Sequence, residues 1–516
     1  MTIVLPLLQI ILFETLLVLE LAIDVFSVLM SPINLLLMFT GVLLGVVFGS
    51  VPGFTGSNTV AVFLPLTIPL DPAIALVFMS CLYVGAMYGG AIPAVLINTP
   101  GTTAATATVL DAYPMSQQGK PSLALGISIL ASVIGGLLSA VIIILLLQPL
   151  GDLAFMFANR EIFVLGLFGL AAVASALGDD TRKGLISGFF GLFLATWAAD
   201  PTTGQYRLDF GYYPLYDEVP FIPVVIGLFA ISELFYLIRR ERISEDSNIA
   251  TDYGEILDGF RYVISKPIET LRAMVIGMGI GSLPGAGASV ANFVSWSTAK
   301  SMSATPEKFG QGNPDGVIAS EASNNAVTSG SLVPTLVLGI PGSGSTAVML
   351  AALLLHGVRP GPQLMQEFAF EANVIMVSLL FANIFLLFIA FSASKYIVRV
   401  VLLPTEYLVP AILVLTAIGA YVIRNNVFDI WFMFLFGIIG IIMRENGFAL
   451  IPLILGIILG PIIEGAFLRS WAIGGGDPLY FFESTIAILL WISIVLILIG
   501  RRIYDKLRPY VASYVT

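Results

Sequence analysis

The chain has 516 residues, 58% of them apolar and only 11% charged, with a mean hydropathy of +0.97. A soluble globular domain carries roughly 25% charged residues, so the soluble class is excluded and an all-α polytopic membrane protein is expected. The net charge of -10 disfavours nucleic acid as a partner, and a single histidine excludes a His-Glu-x-x-His zinc centre.

Residues 1–30 hold Glu14, Glu20 and Asp24 in a run of spanning length. Carboxylates are expensive in hydrocarbon, so this segment is expected to be a helix lying in the interface or facing a partner subunit. The first basic residue is Lys120, which argues against a cleavable signal peptide and for a retained N-terminus. Runs of about 20 apolar residues follow near 32–50, 122–148, 161–178, 219–238, 372–394, 405–423, 427–443, 447–466 and 484–500. Interrupted runs fill 60–110, 184–199, 273–299 and 329–356. About a dozen transmembrane helices are expected, including broken helices or re-entrant hairpins.

The interruptions recur. Gly49-Ser50-Val51-Pro52-Gly53 returns as Gly281-Ser282-Leu283-Pro284-Gly285, 232 residues on. Asn98-Thr99-Pro100-Gly101-Thr102-Thr103 is matched by Ile340-Pro341-Gly342-Ser343-Gly344-Ser345-Thr346, where Pro100 and Pro341 are 241 apart. Glycines four apart lead into each first cluster, Gly41, Gly45 and Gly49 in one copy and Gly277 and Gly281 in the other, as close helix packing requires. Irregular backbone at membrane depth survives only inside protein or beside a watery cavity, and paired breaks in two halves point to a transporter's binding site.

A Pro-Gly break frees carbonyls before it and N–H groups after it. The freed N–H groups, at the positive end of the next half-helix, suit an anion, and the carbonyls suit a cation. Pro52, Gly53, Pro100, Gly101, Pro284, Gly285, Pro341 and Gly342 are therefore the expected backbone breaks and ion site. Ser57, Asn58, Thr59, Asn98, Thr99, Thr102, Thr103, Ser289, Asn292, Ser343, Ser345 and Thr346 are the expected solute-binding side chains. Each taken singly is as well explained by helix packing, but four matched clusters exceed what packing requires.

Arg261, Lys266 and Arg272 precede the second copy, whereas only acidic residues precede the first, so charge asymmetry makes the two repeats inverted. Basic clusters at 239–242 and 501–508 mark cytoplasmic ends and give a cytoplasmic C-terminus. The division expected is 1–30 as the N-terminal helix, 31–238 as the first repeat, 239–272 as a cytoplasmic linker, 273–370 as the second repeat core and 371–516 as scaffold with a cytoplasmic tail. Asn324 and Asn325 are expected to close a loop, with Asp315 and Glu321 solvated beside Gly312, Pro314 and Gly316. Cys81 is expected to be packing, and His356, lacking a matched nucleophile, a boundary residue, so no enzyme is expected. No Gly-x-x-x-x-Gly-Lys-Ser/Thr phosphate loop is present, which leaves an ion gradient as the energy source. A channel, and less well an intramembrane serine enzyme, are the alternatives.

The runs Gly49-Ser50-Val51-Pro52-Gly53-Phe54-Thr55-Gly56, Tyr88-Gly89-Gly90-Ala91-Ile92-Pro93, Asn98-Thr99-Pro100-Gly101, Gly281-Ser282-Leu283-Pro284-Gly285-Ala286-Gly287 and Gly339-Ile340-Pro341-Gly342-Ser343 resemble the large membrane subunit of the tripartite tricarboxylate transporters. The resemblance implies a carrier in the bacterial inner membrane that works with a small four-helix membrane subunit and a periplasmic solute-binding protein. It further implies uptake of citrate or another organic acid driven by a Na+ or H+ gradient, an elevator-like motion, and no resident cofactor.

Overall fold

The computed structural model describes residues 20–154, 156–177, 180–197, 206–208, 219–239, 252–361, 364–400 and 405–499. Among these the regular elements are helical, and nine helices are long and apolar enough to cross a membrane. The expectation for residues 1–19 lies outside the described residues, as do the basic residues 240–242 and the tail after 499. Residues 20–29 are helical.

The first copy opens with α1 (Pro32–Gly49), started by the Ser31 side chain, which accepts from the Asn34 N–H, and by Pro32 at the first turn. It stops at the first cluster: Pro52 has no N–H to continue a helix, and Gly53 turns the chain at φ 85°, a region closed to most side chains. Helix α2 (Gly56–Phe63) restarts from Thr55, whose hydroxyl accepts from the Asn58 N–H. A turn leads to α3 (Pro72–Gly89) and the short α4 (Ala91–Ile97); the second cluster then intervenes before α5 (Thr106–Gln117). Helices α6 (Pro121–Ala154), α7 (Asn159–Leu177), α8 (Thr181–Ala195) and α9 (Phe221–Ile238) complete the first half. Between the halves lies α10 (Tyr253–Ile264), whose buried face of Ile256, Gly259 and Val263 packs on α6, with Gly126 closed against the Ile256 backbone.

The second copy repeats the pattern with α11 (Pro267–Gly281), a break at Gly285 with φ 75°, α12 (Gly287–Met302), α13 (Pro314–Val337) and α14 (Gly344–Leu355). The long α15 (Ala369–Val400), α16 (Thr405–Arg424), α17 (Val427–Glu445), α18 (Leu450–Ile473) and α19 (Thr485–Ile499) follow.

The two copies pack alike in detail. A Cβ on Gly49 would meet Ala86, and one on Gly281 would meet Val327, so α1 lies on α3 as α11 lies on α13, with both partners displaced by the same 241 residues as Pro100 and Pro341. Gly45 and Gly277 likewise close on Leu82 and Ser323. At the second clusters, a Cβ on Gly101 would stand 2.4 Å from the Gly49 carbonyl and one on Gly342 2.7 Å from the Gly281 carbonyl. Small residues thus bring backbones together without side chains between them.

Packing sorts the helices into three groups. One gathers α1–α6 and α10–α15, with α6 running along α13 from the opposite copy; a second gathers α9, α16 and α17, and a third α7, α8 and α18. Helix α15, in the stretch expected as scaffold, packs on α1, α3 and α6. Outward faces are apolar, as with Trp431, Leu435, Ile438 and Ile442 on α17 and Val414 and Ile418 on α16. Lipid is the environment that suits such a surface.

Several polar residues correct the sequence reading. Asn324, Asn325 and Glu321 do not lie in a loop; all three are fully buried within α13. The Gly312-Asn313-Pro314 run is a helix start, not the middle of a loop: Asn313 caps α13 by accepting from the Asp315 N–H, and Pro314 occupies its first turn. Asp315 is in that first turn, accepting from the Tyr262 hydroxyl at 2.8 Å and pairing with Lys266 at 3.5 Å. Cys81 is buried, and His356 caps the end of α14 with Nε2 3.0 Å from the Thr67 hydroxyl.

Candidate functional site: a cavity where four half-helices begin

Four helix starts, two from each copy, converge on one cavity of about 570 Å³. Thr55, Gly56, Ser57 and Asn58 come from the start of α2, and Thr102, Thr103 and Ala104 from the approach to α5. Gly287, Ala288 and Ser289 belong to the start of α12, and Ser343, Gly344 and Ser345 to that of α14. The opposite wall is Phe229 of α9, Arg444 of α17 and the segment from Gly447 to Ile451 entering α18. The cavity therefore lies between the motif-bearing group and the other two.

The starts are built for this. Ser343 and Thr346 form a capping box: the Ser343 hydroxyl accepts from the Thr346 N–H at 3.3 Å while the Thr346 hydroxyl accepts from the Ser343 N–H at 2.9 Å. Tyr83 of α3 steadies it from below, its hydroxyl 3.0 Å from that of Ser331 and 3.2 Å from that of Ser343. Two lining side chains, the Asn58 amide nitrogen and the Thr102 hydroxyl, are buried without a hydrogen-bond partner.

Among the described residues Arg444 is the sole charged one on the cavity wall. Its guanidinium pairs with Glu233 at 2.7 Å and lies 4.9 Å over the Tyr236 ring. Glu233 is nearly buried, whereas about a third of the Arg444 side chain is exposed. A second cavity, lined by Gly53, Thr55, Pro100, Gly101, Thr102, Thr103, Thr106, Glu233, Tyr236, Arg239 and Arg444, shares Thr55, Thr102, Thr103 and Arg444 with the first.

The side chains read from the sequence divide. Ser57, Asn58, Thr102, Thr103, Ser289, Ser343 and Ser345 line the main cavity, and Gly53, Pro100 and Gly101 the second. Thr59 does not line it; its hydroxyl is buried, bonded back to the Thr55 carbonyl. Asn98 is exposed, in the left-handed conformation that ends α4, and Thr99 bonds to the Ile97 carbonyl. Thr346 serves the cap, and Asn292 is buried behind the wall, its amide nitrogen donating to Ala104 and Asn324. Pro52, Pro284, Gly285, Pro341 and Gly342 shape the breaks without lining either cavity. Tyr83 and Arg444 escaped the sequence reading, the first because it sits in an unbroken apolar helix, the second because it ends a helix read as scaffold. Arg444 carries a signal of its own, as the last cation of α17 beside an acidic neighbour, Glu445.

Paired broken helices around a polar cavity, inside a multi-pass helical membrane protein, are the architecture of a solute carrier. The chain belongs to the tripartite tricarboxylate transporter TctA family, whose model matches residues 35–455. It is 32% identical over 468 residues, 90% of this chain and 92% of the relative, to an uncharacterised 52.8 kDa protein in the TAR-I ttuC' 3' region of Agrobacterium vitis. It is 34% identical over 222 residues, 43% of this chain and 92% of the relative, to an uncharacterised protein in the TAR-II ttuC' 3' region of the same organism. No solved structure matches the chain.

Proposed function

We propose that this membrane subunit carries a carboxylate, a tricarboxylate or related organic acid, into the cell across the bacterial inner membrane. Uptake is coupled to a Na+ or H+ gradient and fed by a periplasmic solute-binding protein, with a small four-helix membrane subunit completing the complex. One observation carries the reading: four half-helix starts, each offering N–H groups and a positive dipole end, open on one cavity whose single charge is the cation Arg444. A cavity of about 570 Å³ is within the range of small-molecule sites. The solute's carboxylates meet the helix starts, the Asn58 amide and the Thr102, Ser57 and Ser345 hydroxyls on one side, and Arg444 on the other.

Because the cavity lies between the motif-bearing helices and the rest, transport is read as movement of the motif-bearing helices against the others, with Arg444 engaging the solute in one position only. The two repeats are read as inverted; reporter fusions at residues 30 and 268 on the same membrane face would contradict that.

Uptake of labelled citrate and other carboxylates by cells expressing the complex, with and without sodium and with and without the binding protein, tests the whole. Saturable, gradient-driven accumulation is expected. Flux that neither saturates nor follows an ion gradient would mean a channel instead.

A further inference from the structure

Glu321, midway along α13, is fully buried, and among the described residues no lysine or arginine pairs with it. Oxygen groups surround its carboxylate. The Thr108 hydroxyl of α5 donates to Oε1, and the Ser132 hydroxyl of α6 donates to Oε2 at 2.8 Å. Ser128, one turn earlier on α6, is buried with its hydroxyl beside the carboxylate. A bare carboxylate in such surroundings is too costly to persist; it must be neutralised, and without a basic residue the neutralising charge has to be a bound cation.

The position also connects to the cavity. Asn324, one turn on from Glu321, donates to the carbonyl of Met87 at 3.0 Å, and Asn292 donates to Asn324 at 3.2 Å and to the carbonyl of Ala104 at 2.9 Å. Met87 and Ala104 are both on the cavity wall. The oxygen of the Asn292 amide is buried and unpartnered along the same stretch. Polar groups thus run from the cavity wall to Glu321. Of the ionisable groups on the packed helices, Tyr88 of α3 is buried within electrostatic reach of Glu321. Asp111 of α5 is occupied by three backbone N–H groups, of Gly310, Gly312 and Asn313. Tyr83 of α3 is bonded to Ser331 and Ser343. Glu269 and Arg272 at the start of α11 and Lys300 near the end of α12 are at helix ends.

We propose that Glu321, with the hydroxyls of Thr108, Ser128 and Ser132, is the site of the coupling cation, a monovalent H+ or Na+. This rests on the carrier reading. A proton would sit on the carboxyl as O–H; a sodium ion would take the carboxylate and hydroxyl oxygens as ligands.

The test uses the full chain in lipid nanodiscs and needs no solute. Infrared difference spectra recorded while pH or sodium is changed are expected to show a carboxyl band that Glu321→Gln lacks. A band moved by sodium at fixed pH assigns sodium, and one moved by pH alone assigns the proton. A Glu321→Gln spectrum identical to the parent overturns the site. Ser132→Ala keeps the carboxylate and covers the case in which Glu321→Gln fails to fold; the half-saturating cation concentration should shift at least threefold, and no shift overturns the site. In the complex, Glu321→Gln should retain carboxylate exchange while gradient-driven accumulation falls at least tenfold; undiminished accumulation overturns the coupling role. A Glu321-dependent band in a complex that moves no carboxylate would count against the carrier reading and leave the cation site standing.

Discussion

Ser57 and Ser345 reach across the repeat boundary toward each other's helix start: the Ser57 hydroxyl stands 2.5 Å from where a Cβ on Gly344 would be, and the Ser345 hydroxyl 2.9 Å from the same point on Gly56. The two copies therefore meet at the cavity through small residues chosen in pairs. Any bulk added at one start presses on a hydroxyl of the other.

Gly344→Ala is the sharper test of that contact. Its methyl would meet the Ser57 hydroxyl and also Ile451 of α18 at 2.7 Å, pressing on both walls at once, while the methyl of Gly56→Ala meets the movable Ser345 hydroxyl and, at 3.5 Å, the Met87 sulfur. Uptake normalised to membrane-inserted protein should fall at least tenfold for Gly344→Ala and less for Gly56→Ala. The reverse order would remove the contact from the site.

Gly101 and Gly342 make equivalent demands in the two copies. A Cβ at either position meets backbone: Gly49 and Gly90 for the first, Gly281 and Ser331 for the second. Backbone cannot yield as a side chain can, so Gly101→Ala and Gly342→Ala should each destabilise by about 1–3 kcal/mol, the usual cost of overpacking. Thermal unfolding of the purified variants, followed by loss of the monodisperse peak, checks it; similar losses in both are expected.

Much of this arrangement was legible in the sequence. The breaks, their pairing and their hydroxyls could be read because proline and glycine inside an apolar run have few structural uses, and the glycine spacing of α1 and α11 announced close packing. What stayed hidden depends on neighbours distant in the chain. Glu321 and Asn324 looked like loop residues because they follow a Gly-Asn-Pro start, and only the packing of α5, α6 and α12 around α13 buries them. Asn98 looked functional by adjacency, yet its left-handed backbone simply ends α4. Tyr83 enters the site by tertiary placement alone, and Arg444 by a placement that its charge at the end of α17 only hints at.

Asp111 is a structural clasp between the copies. Its Oδ1 accepts from the N–H groups of Gly310, Gly312 and Asn313 at 2.8, 3.1 and 2.8 Å, and Oδ2 accepts from the Trp296 indole at 2.7 Å. Asp111→Ala removes the acceptor from all four donors, and the buried one among them, the Asn313 N–H, costs about 1–3 kcal/mol when orphaned. The variant should be strongly destabilised and cleaved by protease between residues 303 and 313. Asp111→Asn keeps one acceptor but turns an N–H toward the indole N–H, so it should fall between the two.

Arg444 offers the most direct test of solute recognition. In the structure Glu233 occupies its guanidinium, so a carboxylate entering the cavity competes with Glu233 for the same charge. A charge-assisted hydrogen bond contributes about 1.5–3 kcal/mol, equivalent to roughly 10- to 100-fold in affinity. Arg444→Gln should therefore raise the KM for uptake by about that factor. Glu233→Gln removes the competitor while leaving the cation, so it should lower KM or leave it unchanged, and slow release should then reduce the maximal rate. The two single variants thus move KM apart, whereas a purely structural ion pair would make both fail alike, in abundance and in stability. Kinetics of labelled carboxylate uptake, with membrane abundance measured in parallel, separates these outcomes, and equal loss of protein in both variants would take Arg444 out of the binding site.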